Sequence, residues 1–219
     1  MHRNTSALSH AVTTPRGQNY FELTLKAFGM GTDDLKGKVI LDLGSCSECL
    51  FARGIEHFTE ATIISIDPIF REVEERITAG QTIVISAAEI GILKTTYKPS
   101  TKFLAGLGQE LPFADGSFDM VVSYSAIPFY LPIEDYSAVL DEIYRVLKPN
   151  GTAHLMPIFA KPTWYESGYH PMFGSSGNFF EPEAFKEACT TSPFIKQEYF
   201  DVSLEEISIY DVSTLVLHK

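Results

Sequence analysis

Two short apolar runs near the start of the chain constrain its fold more than any other feature. Val39–Leu43 ends at Gly44, and a second run, Thr62–Asp67, follows a segment with helical spacing. Short continuous apolar runs bounded by turn residues are typical of strands buried on both faces of a parallel sheet. Three later runs have the same character and predict further strands at Lys102–Ala105, Met120–Ser123 and Thr152–Met156.

Segments with helical periodicity alternate with these strands. Helices are predicted at Gln18–Phe28, Ile133–Leu147 and Glu181–Thr190. Two closing strands, near Ile195–Val202 and Val212–His218, look antiparallel. The alternation predicts an α/β fold, with a doubly wound, Rossmann-like, mostly parallel seven-stranded sheet that has a C-terminal antiparallel strand.

The length of 219 residues suits one mid-sized domain. We expect residues 1–17 to be a flexible leader and residues 18–219 to form a single domain. An aromatic segment without periodicity, at about 163–178, predicts a lid-like insertion. Between residues 80 and 100 the pattern is harder to interpret, and we predict an insertion with a strand at 81–85 and a short helix at 87–94.

Charge and composition disfavour several classes of function. The chain has 28 acidic and 17 basic residues, a net charge of −11, which disfavours a nucleic-acid binder. It has no apolar run of about 18 residues, which disfavours a membrane protein. Three cysteines without disulfide spacing, and an N-terminus without an apolar signal, predict a cytoplasmic protein. The oligomeric state stays open.

The pair Cys46 and Cys49 forms a C-x-x-C at the start of a predicted helix, where a thiol pKa is lowered. A redox role is one interpretation. The favoured interpretation is that both cysteines are small buried side chains without a chemical role. No second cysteine pair completes a zinc site, so no metal site is predicted.

Ligands of open parallel sheets bind beyond the carboxyl ends of the strands, where the strand order reverses. Asp67 closes the second predicted strand, so its carboxylate is a candidate acceptor for ribose hydroxyls. The alternative is that it caps a helix beginning at Pro68. The chain has no G-x-G-x-x-G, so an NAD-linked oxidoreductase is the weakest function considered.

Four segments carry a family resemblance, namely KVILDLGSCSECLFA, IISIDP, GQELPFADGSFDMVVSYSAIPFY and EIYRVLKPNG. With them the chain resembles the class I S-adenosylmethionine-dependent methyltransferases, and in particular the small-molecule enzymes of methyltransferase type 11. The resemblance implies S-adenosylmethionine as cofactor and methyl transfer to a small-molecule acceptor. It implies no obligatory catalytic acid or base, and no catalytic residue is assigned.

The same resemblance implies a cofactor site of ten residues. They are Asp42, Gly44, Ser45, Cys46, Ser123 and Tyr124 around the methionine part and sulfonium, Asp67 at the ribose, and Leu107, Gly108 and Gln109 beside the adenine. Where the family has an acidic residue for the adenine amine, this chain has Leu107, and the side-chain carbonyl of Gln109 would substitute for it.

The glycine loop departs from the family pattern. G-x-G-x-G reads Gly44-Ser45-Cys46-Ser47-Glu48 here, so two of the three glycines are replaced. This departure motivates an alternative function, a non-catalytic binding or partner protein with the methyltransferase fold.

Overall fold

The computed structural model describes residues 15–45, 51–52, 54, 60–68, 70, 101–124, 126–128, 131–160, 182–204 and 209–219. Its helices are α1 (Pro15–Ala27), α2 (Tyr136–Val146) and α3 (Pro182–Thr191). Its strands are β1 (Val39–Leu43), β2 (Thr62–Ile66), β3 (Thr101–Leu104), β4 (Phe118–Tyr124), β5 (Leu147–Ala160), β6 (Lys196–Leu204) and β7 (Ile209–His218). Residues 1–14, the predicted elements at 81–85 and 87–94, and the predicted lid at 163–178 lie outside the described residues.

The seven strands form one sheet in the order β3-β2-β1-β4-β5-β7-β6. The first five strands pair with one another in parallel. Strand β7 is antiparallel to both β5 and β6. The predicted α/β fold with a mostly parallel sheet is therefore confirmed. Because the chain order runs outward from β1 in both directions, the strand order reverses between β1 and β4, and the ligand edge is expected there.

The centre of the sheet is buried on both faces, as the apolar runs predict. Ile40 and Leu41 in β1 have no solvent exposure, and neither have Val121 and Val122 in β4. Helix α2 covers one face with a fully buried stripe that includes Val139 and residues at helical spacing from it. Burial of each such side chain contributes roughly 1.5–3 kcal/mol before entropy is counted.

Helix α1 begins at Pro15, three residues before the predicted start. Proline is well tolerated in the first turn of a helix, because the N–H that it lacks has no partner there. Two sheet side chains hold the other end of this helix. Thr214 Oγ1 in β7 donates to the Ala27 carbonyl at 2.7 Å, and His154 Nδ1 in β5 lies 3.1 Å from the Phe28 carbonyl oxygen.

The segment LKPNG, whose Pro, Asn and Gly are typical of a turn, lies within the sheet. Strand β5 already begins at Leu147, which pairs with Phe118, and the register then shifts before Thr152 pairs with Met120. Asn150 in this segment has a φ of 64°. Asparagine tolerates the left-handed conformation better than most residues, so the chain bulges within the strand instead of leaving it.

Two parts of the segments that carry the resemblance, LPFADGSFD and RVLKPNG, are bonded to each other. Arg145 donates to the carbonyl oxygens of Phe113 at 2.6 Å and Leu111 at 2.9 Å. Glu142, which accepts from Arg145 Nε at 2.7 Å, also accepts from the Leu111 N–H at 2.6 Å. These bonds hold the loop LPFADGSFD against helix α2.

Within the part of the chain that the structure describes, no helix is both long enough and apolar enough to cross a lipid bilayer.

Candidate functional site

Gly44 turns the chain at the carboxyl end of β1. Its N–H donates to the Ile66 carbonyl at 2.9 Å, and its φ is 74°, a conformation that favours glycine. A Cβ atom added at this position would lie 2.3 Å from the Cβ of Ala126. The end of β1 and the loop after β4 therefore approach so closely that only glycine fits between them.

Asp42 lies in β1 with only 2% of its surface exposed. Its Oδ2 accepts a hydrogen bond from Ser65 Oγ in β2 at 3.1 Å. Burial raises the pKa of the Asp42 carboxyl to about 7, the Ser65 hydrogen bond opposes this shift, and the negative charge of Asp67 adds to it. The site therefore contains a buried acid that a bound cation would stabilise in its ionised form.

Ser45 follows Gly44 and is buried, with 9% of its surface exposed. Its hydroxyl oxygen has no hydrogen-bond partner among the described residues. A buried hydroxyl without a partner costs roughly 1–3 kcal/mol, so such groups call for an explanation. A polar ligand at the carboxyl end of β1 would supply the missing partner.

Asp67 stands directly after β2 and is partly buried. Its N–H donates to the Leu104 carbonyl at 3.2 Å, which ties the end of β2 to the end of β3. Its charge acts on Asp42, so the two carboxyl groups belong to one electrostatic environment. The alternative role, as the cap of a helix beginning at Pro68, concerns a segment of which the structure describes only Pro68 and Phe70.

The end of β4 contributes Ser123 and Tyr124. Ser123 is fully buried, and its Oγ accepts from the Ile127 N–H at 3.2 Å, so the hydroxyl shapes the loop after β4. Tyr124 is partly exposed, and its ring packs against Phe28, with 6.3 Å between the ring centroids. Helix α1 is thereby connected to this edge of the sheet.

The turn at residues 107–110 lies across the end of β1. A Cβ atom added at Gly108 would lie 3.4 Å from Val139, 3.7 Å from Leu43 and 3.8 Å from Ile127. Leu107 is 53% exposed, and its carbonyl accepts from the Glu110 N–H at 3.3 Å. Gln109, between them, donates from Nε2 to an acidic side chain at the start of α2.

The structure thus places seven of the ten predicted site residues at the carboxyl edge of the sheet, namely Asp42, Gly44, Ser45, Asp67, Gly108, Ser123 and Tyr124. Leu107 and Gln109 flank Gly108 in its turn. Cys46, the tenth, and its partner Cys49 lie outside the described residues. Within the described ranges no cluster of three or more His, Cys, Asp or Glu side chains could hold a metal ion.

Sequence reasoning missed four residues that bond to or contact the predicted site residues. They are Ser65, which donates to Asp42; Ala126, which contacts the Gly44 position; Ile127, which donates to Ser123; and Asp135, which accepts from Gln109. Only Ser65 had a visible signal, as a polar residue in an otherwise apolar run. The other three act through pairings that a linear sequence does not display.

Known proteins are similar to this chain in sequence. Residues 41–155, more than half of the chain, match the family model described as a methyltransferase domain. A demethylmenaquinone methyltransferase of Streptomyces griseus is 38% identical over 91 residues, which cover 40% of this chain and 37% of that protein. One of Chlorobaculum tepidum is 26% identical over 152 residues, covering 58% and 60%. The matches therefore span 60% of these two relatives' own length at most.

Solved structures are similar in fold. A SAM-dependent methyltransferase of Methanosarcina mazei has 18% identity and a TM-score of 0.53, over 83% of this chain and 92% of that one. Phosphoethanolamine N-methyltransferase 2 of Haemonchus contortus, solved with S-adenosyl-L-methionine, has 16% identity and a TM-score of 0.63, over 99% and 57%. The extent of the family match, together with this sheet order, shows that the chain belongs to the methyltransferase domain family.

Proposed function

We propose that this protein transfers a methyl group from S-adenosylmethionine to a small-molecule acceptor. The observation that carries the proposal is the carboxyl edge of β1, where Gly44 turns the chain between the buried Asp42 and Ser45. The Ser45 hydroxyl has no hydrogen-bond partner among the described residues. This edge lies at the reversal of strand order, in a chain that belongs to a methyltransferase family.

The charges at this edge suit the proposed cofactor. S-adenosylmethionine brings an electrophilic methyl group on a positively charged sulfonium, and it carries an ammonium group but no phosphate. Asp42 and Asp67 supply negative potential in a buried environment, where charge interactions are stronger than in water. An acid at the position of Asp67 suits the ribose of either cofactor, so the NAD alternative is disfavoured by the missing G-x-G-x-x-G and not by these charges.

The predicted residues then have proposed roles in binding and orienting the cofactor. Asp67 would accept the ribose hydroxyls, and Gly108 and Gln109 would flank the adenine. Ser45 would hydrogen-bond the methionine part, while Ser123 and Tyr124 shape the wall beside it. Holding donor and acceptor in line and excluding water supplies much of the rate enhancement in a displacement of this kind.

The acceptor class is supported by the names of sequence relatives. The proteins from Streptomyces griseus and Chlorobaculum tepidum are named for demethylmenaquinone, which is a small molecule. A net charge of −11 also disfavours a nucleic acid as acceptor. A demethylmenaquinone analogue is therefore the first acceptor to assay with methyl-labelled S-adenosylmethionine.

Calorimetric titration with S-adenosylmethionine and S-adenosylhomocysteine tests the cofactor site. We expect both to bind, and Asp67→Ala to weaken binding by about tenfold or more, since hydrogen bonds to charged groups contribute roughly 1.5–3 kcal/mol. Asp141→Ala, at an exposed acid on α2, is the matched control and should leave binding unchanged. Absence of binding at high micromolar ligand would refute the proposal, and binding of NADH instead would favour an oxidoreductase.

A further inference from the structure

Strand β6 forms the edge of the sheet at the end opposite β3. It pairs with β7 along one side, and within the described part of the chain no strand pairs with its outer side. The outer side of such a strand presents backbone N–H and C=O groups to which a further strand can bond, and proteins commonly prevent this by making edge strands short or bulged. Strand β6 has nine residues, and its register with β7 is unbroken from Lys196 to Val202. Most of this edge is therefore regular and able to pair.

The first residues of this edge carry an opposite-charge pair and two exposed apolar side chains. Lys196 and Glu198 lie on the face to which helix α1 is bonded, because their partners in β7 alternate in step with Thr214. Lys196 is exposed, Glu198 is partly exposed, and the two form an ion pair. Ile195 and Tyr199, which flank this pair, have exposed fractions of 79% and 45%. Both the charges and the apolar groups are accessible to a partner.

The five residues from Ile195 to Tyr199 are complementary to themselves in the reverse direction. Around the central Gln197, the inner pair has opposite charges and the outer pair is apolar. When two copies of one strand pair antiparallel about a two-fold axis, residues equally far from the axis on its two sides lie opposite each other. With the axis at Gln197, Lys196 of each copy would lie opposite Glu198 of the other. Ile195 would likewise lie opposite Tyr199.

Neighbouring registers lack this complementarity. An axis one residue earlier would set Lys196 opposite Lys196, and an axis one residue later would set Glu198 opposite Glu198. Like charges directly opposite each other destabilise a sheet, whereas opposite charges and pairs of an aromatic with a β-branched residue stabilise it. Lys196 also pairs with Glu198 of its own strand, so every charge in the paired edge would have two opposite neighbours. One register is thus favoured over those beside it, as a specific interface requires.

We propose that this protein forms a two-fold homodimer in which the β6 strands of two copies pair antiparallel about Gln197 and join the two sheets into one. The partner is a second copy of this chain. Strands β5 and β7 lie between β6 and the candidate site at β1 and β4, so the paired strands would lie away from that site. The inference is therefore independent of the proposed function. Because the paired segment is short, we expect a weak dimer with a dissociation constant in the micromolar range.

Sedimentation velocity of the full chain, from low to high micromolar concentration, tests the dimer. We expect the unchanged protein to convert from monomer to dimer as its concentration rises. Lys196→Glu sets Glu opposite Glu198, and Glu198→Lys sets Lys opposite Lys196. Each variant alone should therefore dimerise about tenfold more weakly, or not at all. Thermal unfolding checks that both variants are folded.

An equimolar mixture of the two variants separates strand pairing from structural damage. In a mixed dimer each new Glu lies opposite a Lys, and each new Lys lies opposite a Glu. We expect the mixture to dimerise about as strongly as the unchanged protein, a gain that misfolding of either variant cannot produce. Lys102→Glu is the matched control, because it makes the same change in net charge at an exposed position of β3, the opposite edge strand. It should leave the dissociation constant of the dimer unchanged.

Four results would overturn the proposal. The unchanged protein could be a monomer at every concentration, which would leave this edge to another partner. Lys196→Glu and Glu198→Lys could dimerise as the unchanged protein does, which would place the interface elsewhere. The mixture could associate no better than its components, or Lys102→Glu could weaken the dimer equally, which would reduce the effect to net charge or folding. Weak dimers of the two variants, with recovery in their mixture alone, support the proposal whether or not S-adenosylmethionine binds.

Discussion

Thr214 in the last strand donates its hydroxyl to the backbone carbonyl of Ala27 at 2.7 Å, joining residues 187 positions apart. The carbonyl belongs to the last residue of α1, where no N–H of the helix itself remains to satisfy it. Phe28, the next residue, packs against Tyr124 at the candidate site. The closing strand of the sheet thus holds the end of helix α1 beside the candidate site.

Thr214→Val should destabilise the protein by roughly 1–3 kcal/mol, because the isosteric change leaves the Ala27 carbonyl buried and unsatisfied. Thr190→Val is the matched control. The Thr190 hydroxyl also donates to a carbonyl, that of Lys186, but at the exposed surface of α3, where water can replace it. Urea unfolding should show a change within about 0.5 kcal/mol for the control, and equal losses in the two variants would contradict this account.

His154 should make stability fall in mild acid. Burial lowers the pKa of the His154 imidazole to about 4, although its hydrogen bond to Phe28 opposes the shift. A histidine with a depressed folded-state pKa adds stability that is fully present above the unfolded value of 6.5 and is lost as the pH falls toward 4. The loss should be on the order of 3 kcal/mol.

His154→Gln, which cannot be protonated in this range, isolates that effect. We expect the difference in unfolding free energy between this variant and the unchanged protein to shift in favour of the variant as the pH is lowered from 7 to 4. Urea titrations at several pH values measure it. A difference that stays constant with pH would show that the imidazole is not held neutral by burial.

Asp42 should have the opposite pH dependence. Its folded-state pKa is raised to about 7, mainly by burial, so its contribution is fully present below the ordinary value of 3.8 and is lost as the pH rises through 7. Asp42→Asn should therefore gain stability relative to the unchanged protein between pH 4 and pH 8, by up to on the order of 4 kcal/mol. The same variant should bind S-adenosylmethionine more weakly, because the proposed site loses negative charge.

Thermal unfolding at pH 4 and pH 8, with calorimetric titration at pH 8, checks both parts of this prediction. Asp141→Asn, on the exposed side of α2, serves as the control and should show neither effect. If the stability difference between Asp42→Asn and the unchanged protein is the same at pH 4 and pH 8, Asp42 is ionised without cost in the folded state.

Gly44→Ala should cost more than the same change at Gly37, although the two φ angles are 74° and 70°. The left-handed conformation alone costs an alanine roughly 1–2 kcal/mol, and space around Gly37 is open. At Gly44 the new methyl group would overlap Ala126, which adds a further 1–3 kcal/mol. Urea unfolding of both variants measures the difference. Similar losses of unfolding free energy would show that the chain at Gly44 and the loop at Ala126 can move apart at little cost.

Much of the sheet could be predicted from the chain alone. The apolar runs at Val39–Leu43 and Thr62–Asp67 correspond to β1 and β2 within a residue, because strands buried on both faces need continuous apolar sequence. Boundaries failed where local chemistry was ambiguous. Pro15 was compatible with either a leader or a first helical turn, and Asn150 with either a turn or a bulge inside β5.

For the candidate site, the sequence by itself determined which polar residues stand at the ends of the central strands, since strand-end position follows from chain order. Only the tertiary structure decided how those residues are paired. Asp42 meets Ser65 across two strands, Gly44 meets Ala126 across two loops, and Gln109 meets Asp135 across 26 residues. Such pairings depend on strand register and on the approach of separate loops, which periodicity in the sequence does not encode. Through these pairings Asp42 becomes a hydrogen-bonded buried acid, Gly44 a close contact between two loops, and Gln109 an amide held by a carboxylate.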